Sequence, residues 1–135
     1  KAVTLAQAKE FVDKLEDGAD YKIAQGGRNV SGGQKQRLSI ARALARGAEI
    51  LIFDDSFSAL DYRTDAALRN GLAENLACTT KIIVAQRVST IRHADRILVM
   101  DDGKIVGNGT HEELMKTCNI YREIANSQLS EKELA

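Results

Sequence analysis

Proline is absent from the 135 residues, where average usage of about 5% would place roughly seven. Tryptophan is also missing and aromatic residues make up only 4%, so a core must rest on Ile, Leu, Val and Ala. Long hydrophobic runs are lacking too. The longest are four residues each, Ile50 to Phe53, Ile82 to Ala85 and Ile97 to Met100, against the roughly 20 that a membrane-spanning helix needs. The N-terminal Lys-Ala-Val-Thr-Leu-Ala-Gln has no apolar stretch of the signal-peptide kind, and without an initiator Met the chain reads as starting inside a longer protein. Two cysteines, Cys78 and Cys118, and two histidines, His93 and His111, make neither a disulfide framework nor a zinc site and suit reduced thiols. Nineteen basic residues cancel nineteen acidic ones, which argues against a dedicated nucleic-acid binder or an acidic tail. At 28% charged and 44% hydrophobic, the chain has the make-up of an ordinary globular protein of one domain's length.

No internal repeat or low-complexity stretch is visible. The sequence predicts a helix over about Leu5 to Leu15, capped by Thr4 and stopped near Gly18, with Leu5, Ala8, Val12 and Leu15 as its apolar stripe. The glycine-rich run Gly26 to Gly33 feeds a second helix, about Gln34 to Arg46, that Gly47 ends. Ile50-Leu51-Ile52-Phe53 closes on Asp54-Asp55, the pattern of a buried parallel strand with carboxylates at its C-terminal end. A helix over about Arg63 to Asn75, a strand over Lys81 to Ala85, a helical turn near Ser89 to Arg92 and a strand over Arg96 to Met100 follow. Asp101-Asp102-Gly103-Lys104 reads as a hairpin turn into a fourth strand, Lys104 to Val106. Thr110-x-x-Glu113 is a capping box for the last helical region, with Tyr121 packed under it. The expected fold is therefore α/β, a mostly parallel sheet with flanking helices and a C-terminal antiparallel hairpin. Ligands of such sheets bind beyond the carboxyl ends of the strands, where Asp54, Asp55 and Gln86 fall.

Two features carry chemistry. Val30-Ser31-Gly32-Gly33-Gln34 offers a hydroxyl, close backbone N–H groups and the positive end of a helix, which together make a phosphate cradle. Asp54 and Asp55 suit Mg²⁺, a hard cation that prefers oxygen ligands, and the orientation of an attacking water beside a phosphate chain. The basic run from Arg28 to Arg46 lacks interleaved aromatics for base stacking and reads as a solvated helix face. His111 in its helix cap, and His93 beside Asp95, read as structural or surface residues.

The order of these motifs is more specific than any one of them. Val-Ser-Gly-Gly-Gln precedes Ala41-Arg42-Ala43-Leu44, Ile50 to Asp55 and Ser58-Ala59-Leu60-Asp61. Ile82 to Thr90, Asp102 to Val106 and Gly109-Thr110-His111-Glu112-Glu113-Leu114 follow. The series resembles the C-terminal half of the nucleotide-binding domain of ATP-binding cassette (ABC) transporters of the multidrug exporter type, over nearly the whole chain. The resemblance implies a partial P-loop ATPase domain, with residues 1–47 as its helical and signature part, 48–118 as its core and 119–135 as a C-terminal helix and tail. It implies ATP and Mg²⁺ as cofactors. Ser31, Gly32, Gly33 and Gln34 would be the signature that contacts ATP held by the opposite subunit. Asp54 would hold Mg²⁺ through water, Ser58 to Asp61 would form the interface D-loop, and Asp55 and Gln86 would occupy the catalytic and switch positions.

The departures from the family pattern carry their own implication. Asp55 stands where glutamate is usual, one methylene shorter and so about 1.5 Å less in reach. Misplacement near 1 Å can cost on the order of 10²-fold in rate. Gln86 replaces the usual histidine with an amide that hydrogen-bonds but carries no proton or charge. Before the signature, Gln25 and Gly26 replace the usual glutamate and arginine. The pattern resembles the degenerate-site subunit of a heterodimeric exporter, whose intact signature serves its partner. No Gly-x-x-x-x-Gly-Lys-Ser/Thr loop is present, so the expectation is a fragment, inactive alone, of a transporter at the cytoplasmic face of a membrane. Its partners would be a second ABC subunit and a transmembrane domain, with no nucleic acid. The alternative is the C-terminal head lobe of a chromosome-maintenance or DNA-repair ATPase.

Overall fold

A computed structural model describes residues 1–128, and its contacts divide the chain into a unit of Lys1–Val84 and a second that starts at Ala85.

In the first unit the expected helix over Leu5 to Leu15 is broken into α1 (Ala2–Leu5) and α2 (Lys9–Val12), and Thr4 lies inside α1 instead of capping it. The break falls at Gln7, whose φ of 55° is left-handed. Its carbonyl accepts a 2.7 Å hydrogen bond from Arg37 Nη1, and the Arg37 guanidinium lies 4.8 Å from the centre of the Phe11 ring. Ala6 and Ala8 on either side are fully buried. A long-range partner thus overrides a good local helix pattern.

Gly47, at φ 62°, ends α3 (Gly32–Ala45) as expected. β1 (Ile50–Asp54) leads to α4 (Tyr62–Asn75), which Asp61 caps by accepting from Thr64 N at 2.9 Å. β2 (Thr80–Val84) then pairs with β1 in parallel, Ile52 opposite Ile82. Leu51 and Phe53 point into a core with Phe57, Leu60, Leu68 and Leu72, and the Phe53 and Phe57 rings sit 5.3 Å apart. Loss of a buried leucine such as Leu68 to alanine costs about 2–5 kcal/mol. The opposite face, Ile50, Ile52, Ile82 and Val84, is exposed.

In the second unit α5 (Val88–Ile91) precedes β3 (Ile97–Asp101) and β4 (Lys104–Gly109). These strands form the expected hairpin. Asp102 and Gly103 both have positive φ, 44° and 73°, as a tight turn of the primed kind requires. Among the described residues β3 pairs only with β4, so each unit carries its own two-stranded sheet. α6 (His111–Thr117) and α7 (Asn119–Gln128) cover Ile97 and Val99 with Leu114, Cys118, Tyr121 and Ala125. Tyr121 is buried as expected, and its hydroxyl meets His111 Nδ1 at 2.8 Å. Burial and the nearby Arg92 push the His111 pKa down, and burial pushes that of Tyr121 up. The expected tail beyond Gln128 lies outside the described residues.

Candidate functional site

The geometry of the first unit starts from the N-terminus of α3. Ser31 is its cap, in extended backbone, and its Oγ accepts from Gln34 N at 3.2 Å while Gln34 Oε1 accepts from Ser31 N at 2.9 Å. This reciprocal box leaves the Ser31 hydroxyl hydrogen and the Gln34 Nε2 hydrogens to donate outward. The N–H groups of Gly32 and Gly33 have no intrahelical acceptor, as in the first turn of any helix. The cap therefore presents donors and no negative charge, which is the electrostatic form of an anion site.

The loop before it is tied down from several sides. Asn29 Oδ1 accepts from Ala24 N at 2.9 Å and Asn29 Nδ2 donates to the Lys22 carbonyl at 2.9 Å. Lys35 Nζ reaches back to the Gly26 carbonyl at 3.0 Å. Gly26 and Gly27 have φ values of 74° and 70°, and a Cβ on Gly27 would meet the Lys35 chain at 3.1 Å. Gly27 is needed there for its conformation, and a Cβ would also push the Lys35 chain aside.

Asp54 ends β1 with its side chain exposed, and Asp55 follows in the left-handed region at φ 46°. Asp is one of the few residues with a Cβ that enters this region readily, and hydrogen bonds hold it there. Asp55 N donates to the Val84 carbonyl at 3.1 Å, and the Asp55 carbonyl accepts from Ser58 Oγ at 3.0 Å and from Gln36 Nε2 at 3.3 Å. Gln36 also donates to Ser58 Oγ at 3.1 Å and accepts from Ala59 N at 3.0 Å. A groove of about 370 Å³ runs here between Lys35, Gln36 and Ser39 of α3 and Asp54, Asp55 and Ser56.

The structure thus brings Gly32 and Gly33 against the Ser58–Ala59 part of the expected D-loop: a Cβ on Gly33 would lie 3.0 Å from the Ala59 carbonyl. Asp61, whose pKa is held down by the backbone N–H and hydroxyl of Thr64, is occupied as the cap of α4, and Leu60 is buried in the core. Gln86 lies in the second unit, two residues after β2. Its side chain is exposed and its carbonyl accepts from Gln128 Nε2 at 2.8 Å. Sequence reasoning missed Gln36. Its spacing of three and four residues from Gly33 and Gly32 places it on the same helical face, which was the available signal.

An exposed carboxylate at a strand end fits Mg²⁺, which usually binds through one or two carboxylates and retained waters. It needs no cluster of three acidic or histidine ligands, and none occurs among the described residues.

The ABC transporter family profile matches residues 3–58. An uncharacterized ABC transporter ATP-binding protein of Mycobacterium tuberculosis is 49% identical over 128 residues, 95% of this chain and 22% of the relative. An ATP-dependent lipid A-core flippase of Haemophilus ducreyi is 45% identical over 130 residues, 96% of this chain and 22% of the relative. A solved bacterial Atm1-family ABC exporter with ATP bound superposes with a TM-score of 0.91 at 36% identity, covering 96% of this chain and 23% of that one. The fold is that of part of an ABC ATPase domain, within the P-loop NTPase class. The chain spans about a fifth of the length of the curated relatives it matches. The alternative of a chromosome-maintenance or DNA-repair head lobe finds no support among these relatives. No helix among the described residues is long and apolar enough to cross a membrane.

Proposed function

We propose that this chain is the later part of the nucleotide-binding domain of an ABC exporter that couples ATP hydrolysis to the outward movement of a lipophilic or drug-like solute. The flippase among its relatives supports the lipophilic class. In this reading residues 1–47 carry the signature, residues 48–118 carry the carboxylates and the switch loop, and residues 119–135 form the C-terminal helix and tail. The domain works at the cytoplasmic face of a membrane, joined to transmembrane helices and to a second ABC subunit. The observation that carries the reading is the uncharged, donor-rich cap at Ser31 packed against the turn that follows Asp54 and Asp55.

Ser31, Gly32, Gly33 and Gln34 bind the terminal phosphate of ATP held by the partner subunit. Asp54 orients Mg²⁺ through water, and the bound ion neutralises charge on the phosphates. Asp55 aligns the attacking water at this chain's own site but falls short by one methylene, and Gln86 contacts phosphate without supplying charge. The own site therefore binds ATP and turns it over slowly, while the signature keeps the partner's site fast. The 135 residues alone neither bind ATP tightly nor hydrolyse it.

The test is made in the full-length transporter. Asp55→Glu together with Gln86→His raises ATP turnover, toward about twice the wild-type rate, if reach and charge limit this site. Unchanged turnover in the double variant removes the slow-site reading.

A further inference from the structure

We propose that Gln36 is a positioning residue: its amide clamps the turn from Asp55 to Ala59 onto α3, so that the glycine-rich cap and the Asp55 backbone move as one piece. The mechanistic consequence rests on the ATPase reading above; the clamp itself rests on geometry. The Gln36 amide uses both its ends. Nε2 donates to the Asp55 carbonyl at 3.3 Å and to Ser58 Oγ at 3.1 Å, and Oε1 accepts from Ala59 N at 3.0 Å. One side chain thereby spans the first and last residues of the turn.

The turn is held from several sides. Asp55 sits at φ 46°, a left-handed conformation that Asp tolerates better than most residues with a Cβ. Ser58 supplies two bonds to the Asp55 carbonyl, from its N at 3.5 Å and its Oγ at 3.0 Å, and Gln36 adds one from outside the turn. One helical turn earlier, Gly33 lets the Ala59 carbonyl approach so closely that a Cβ would stand 3.0 Å from it. The Ser31 box fixes the start of the same helix. A shift of the cap by a bound phosphate is therefore passed through Gln36 to the backbone that carries Asp55.

Neither a carboxylate nor a thioether reproduces the clamp. Gln36→Glu keeps only the acceptor for Ala59 N and turns an oxygen toward the Asp55 carbonyl. Gln36→Met keeps the volume and loses all three bonds. Both variants are made in the full-length transporter and read by amide hydrogen exchange, thermal melting and ATP turnover.

In Gln36→Met the Ala59 amide exchanges about tenfold faster, with the Gln36→Glu effect smaller and the interior of α3 unchanged. ATP kcat falls about tenfold with KM within twofold, while the melting temperature stays near that of the wild type. Unaltered exchange at Ala59 overturns the clamp, and so does a parallel loss across the whole helix. A kcat that stays at the wild-type value overturns its role in turnover. If Gln36→Met does not fold, Gln36→Glu decides by the same readouts. A wild-type transporter that hydrolyses no ATP sinks the proposed function instead, and the exchange measurement still decides the clamp.

Discussion

Two helices of this chain begin with the same device and differ in one charge. α3 opens with Ser31 and Gln34, α6 with Thr110 and Glu113, and both boxes are reciprocal. Glu113 Oε2 accepts from Thr110 N at 2.8 Å, and these backbone and hydroxyl contacts hold the Glu113 carboxyl below its usual range. The positive end of α6 is thus already answered by the helix's own anion. At α3 the reciprocal group is a neutral amide, followed by no acid in the first turn, so the favourable field stays open to an outside anion. The residue that closes the box decides whether the helix end carries its own counter-charge, and in the proposed reading the α3 end is left to bind phosphate.

The largest way to break the contrast is Ser31→Ala in the full-length transporter. If the proposed function holds, loss of this donor lowers turnover on the order of 10²-fold, measured at saturating ATP. Turnover at the wild-type level would leave the α3 cap as structure only. Next, Gln34→Glu converts the first box into a copy of the second. Helix stability is retained, yet turnover drops about tenfold as a carboxylate faces phosphate. Equal activity would show that the charge difference has no functional weight.

A smaller effect is expected at the other box. Thr110→Ala costs about 1 kcal/mol in chemical denaturation, with turnover per folded molecule unaltered. The last difference is in acid. Glu113 has a lowered pKa, so its stabilisation is complete above its ordinary value of 4.5 and is lost as pH falls below it. His111 works in the same direction: its pKa is also lowered, and protonation below its ordinary 6.5 favours the unfolded chain. Arg92 and His93 oppose that proton and Glu112 favours it. The protection of the α6 amides, after correction for the intrinsic pH dependence of exchange, should therefore fall on acidification below pH 6.5, and Glu113→Gln with His111→Asn should flatten the response. The uncharged box of α3 should show no such dependence.

Much of this was legible before any coordinates. The boxes at Ser31 and Thr110, the stop at Gly47, the strands ending at Asp54 and before Gln86, and the hairpin at Gly103 are local patterns whose partners lie within a few residues. The helix expected over Leu5 to Leu15 failed because its periodicity is sound but Arg37, thirty residues away, binds the Gln7 carbonyl and holds a left-handed break. The third strand pairs with β4 in the expected hairpin, but apolar runs do not name their neighbours, and the sequence could not say that β1 and β2 would pair only with each other among the described residues. The exposed face of Ile50, Ile52, Ile82 and Val84 was equally invisible, since a run of apolar residues signals burial on both faces.

The sequence by itself determined which residue types stand at the helix start and strand end, because caps, turns and runs are settled by short-range sterics and hydrogen bonding. Its resemblance to the exporter family, which usually has glutamate and histidine at positions 55 and 86, carried the expectation of a slowed site. Only the tertiary structure decided that Asp55 adopts a left-handed backbone, that Gln36 bonds both ends of its turn, and that Gly33 is small for the sake of the Ala59 carbonyl. Those contacts join groups some twenty residues apart, and no local propensity encodes which distant carbonyl a side-chain amide will meet.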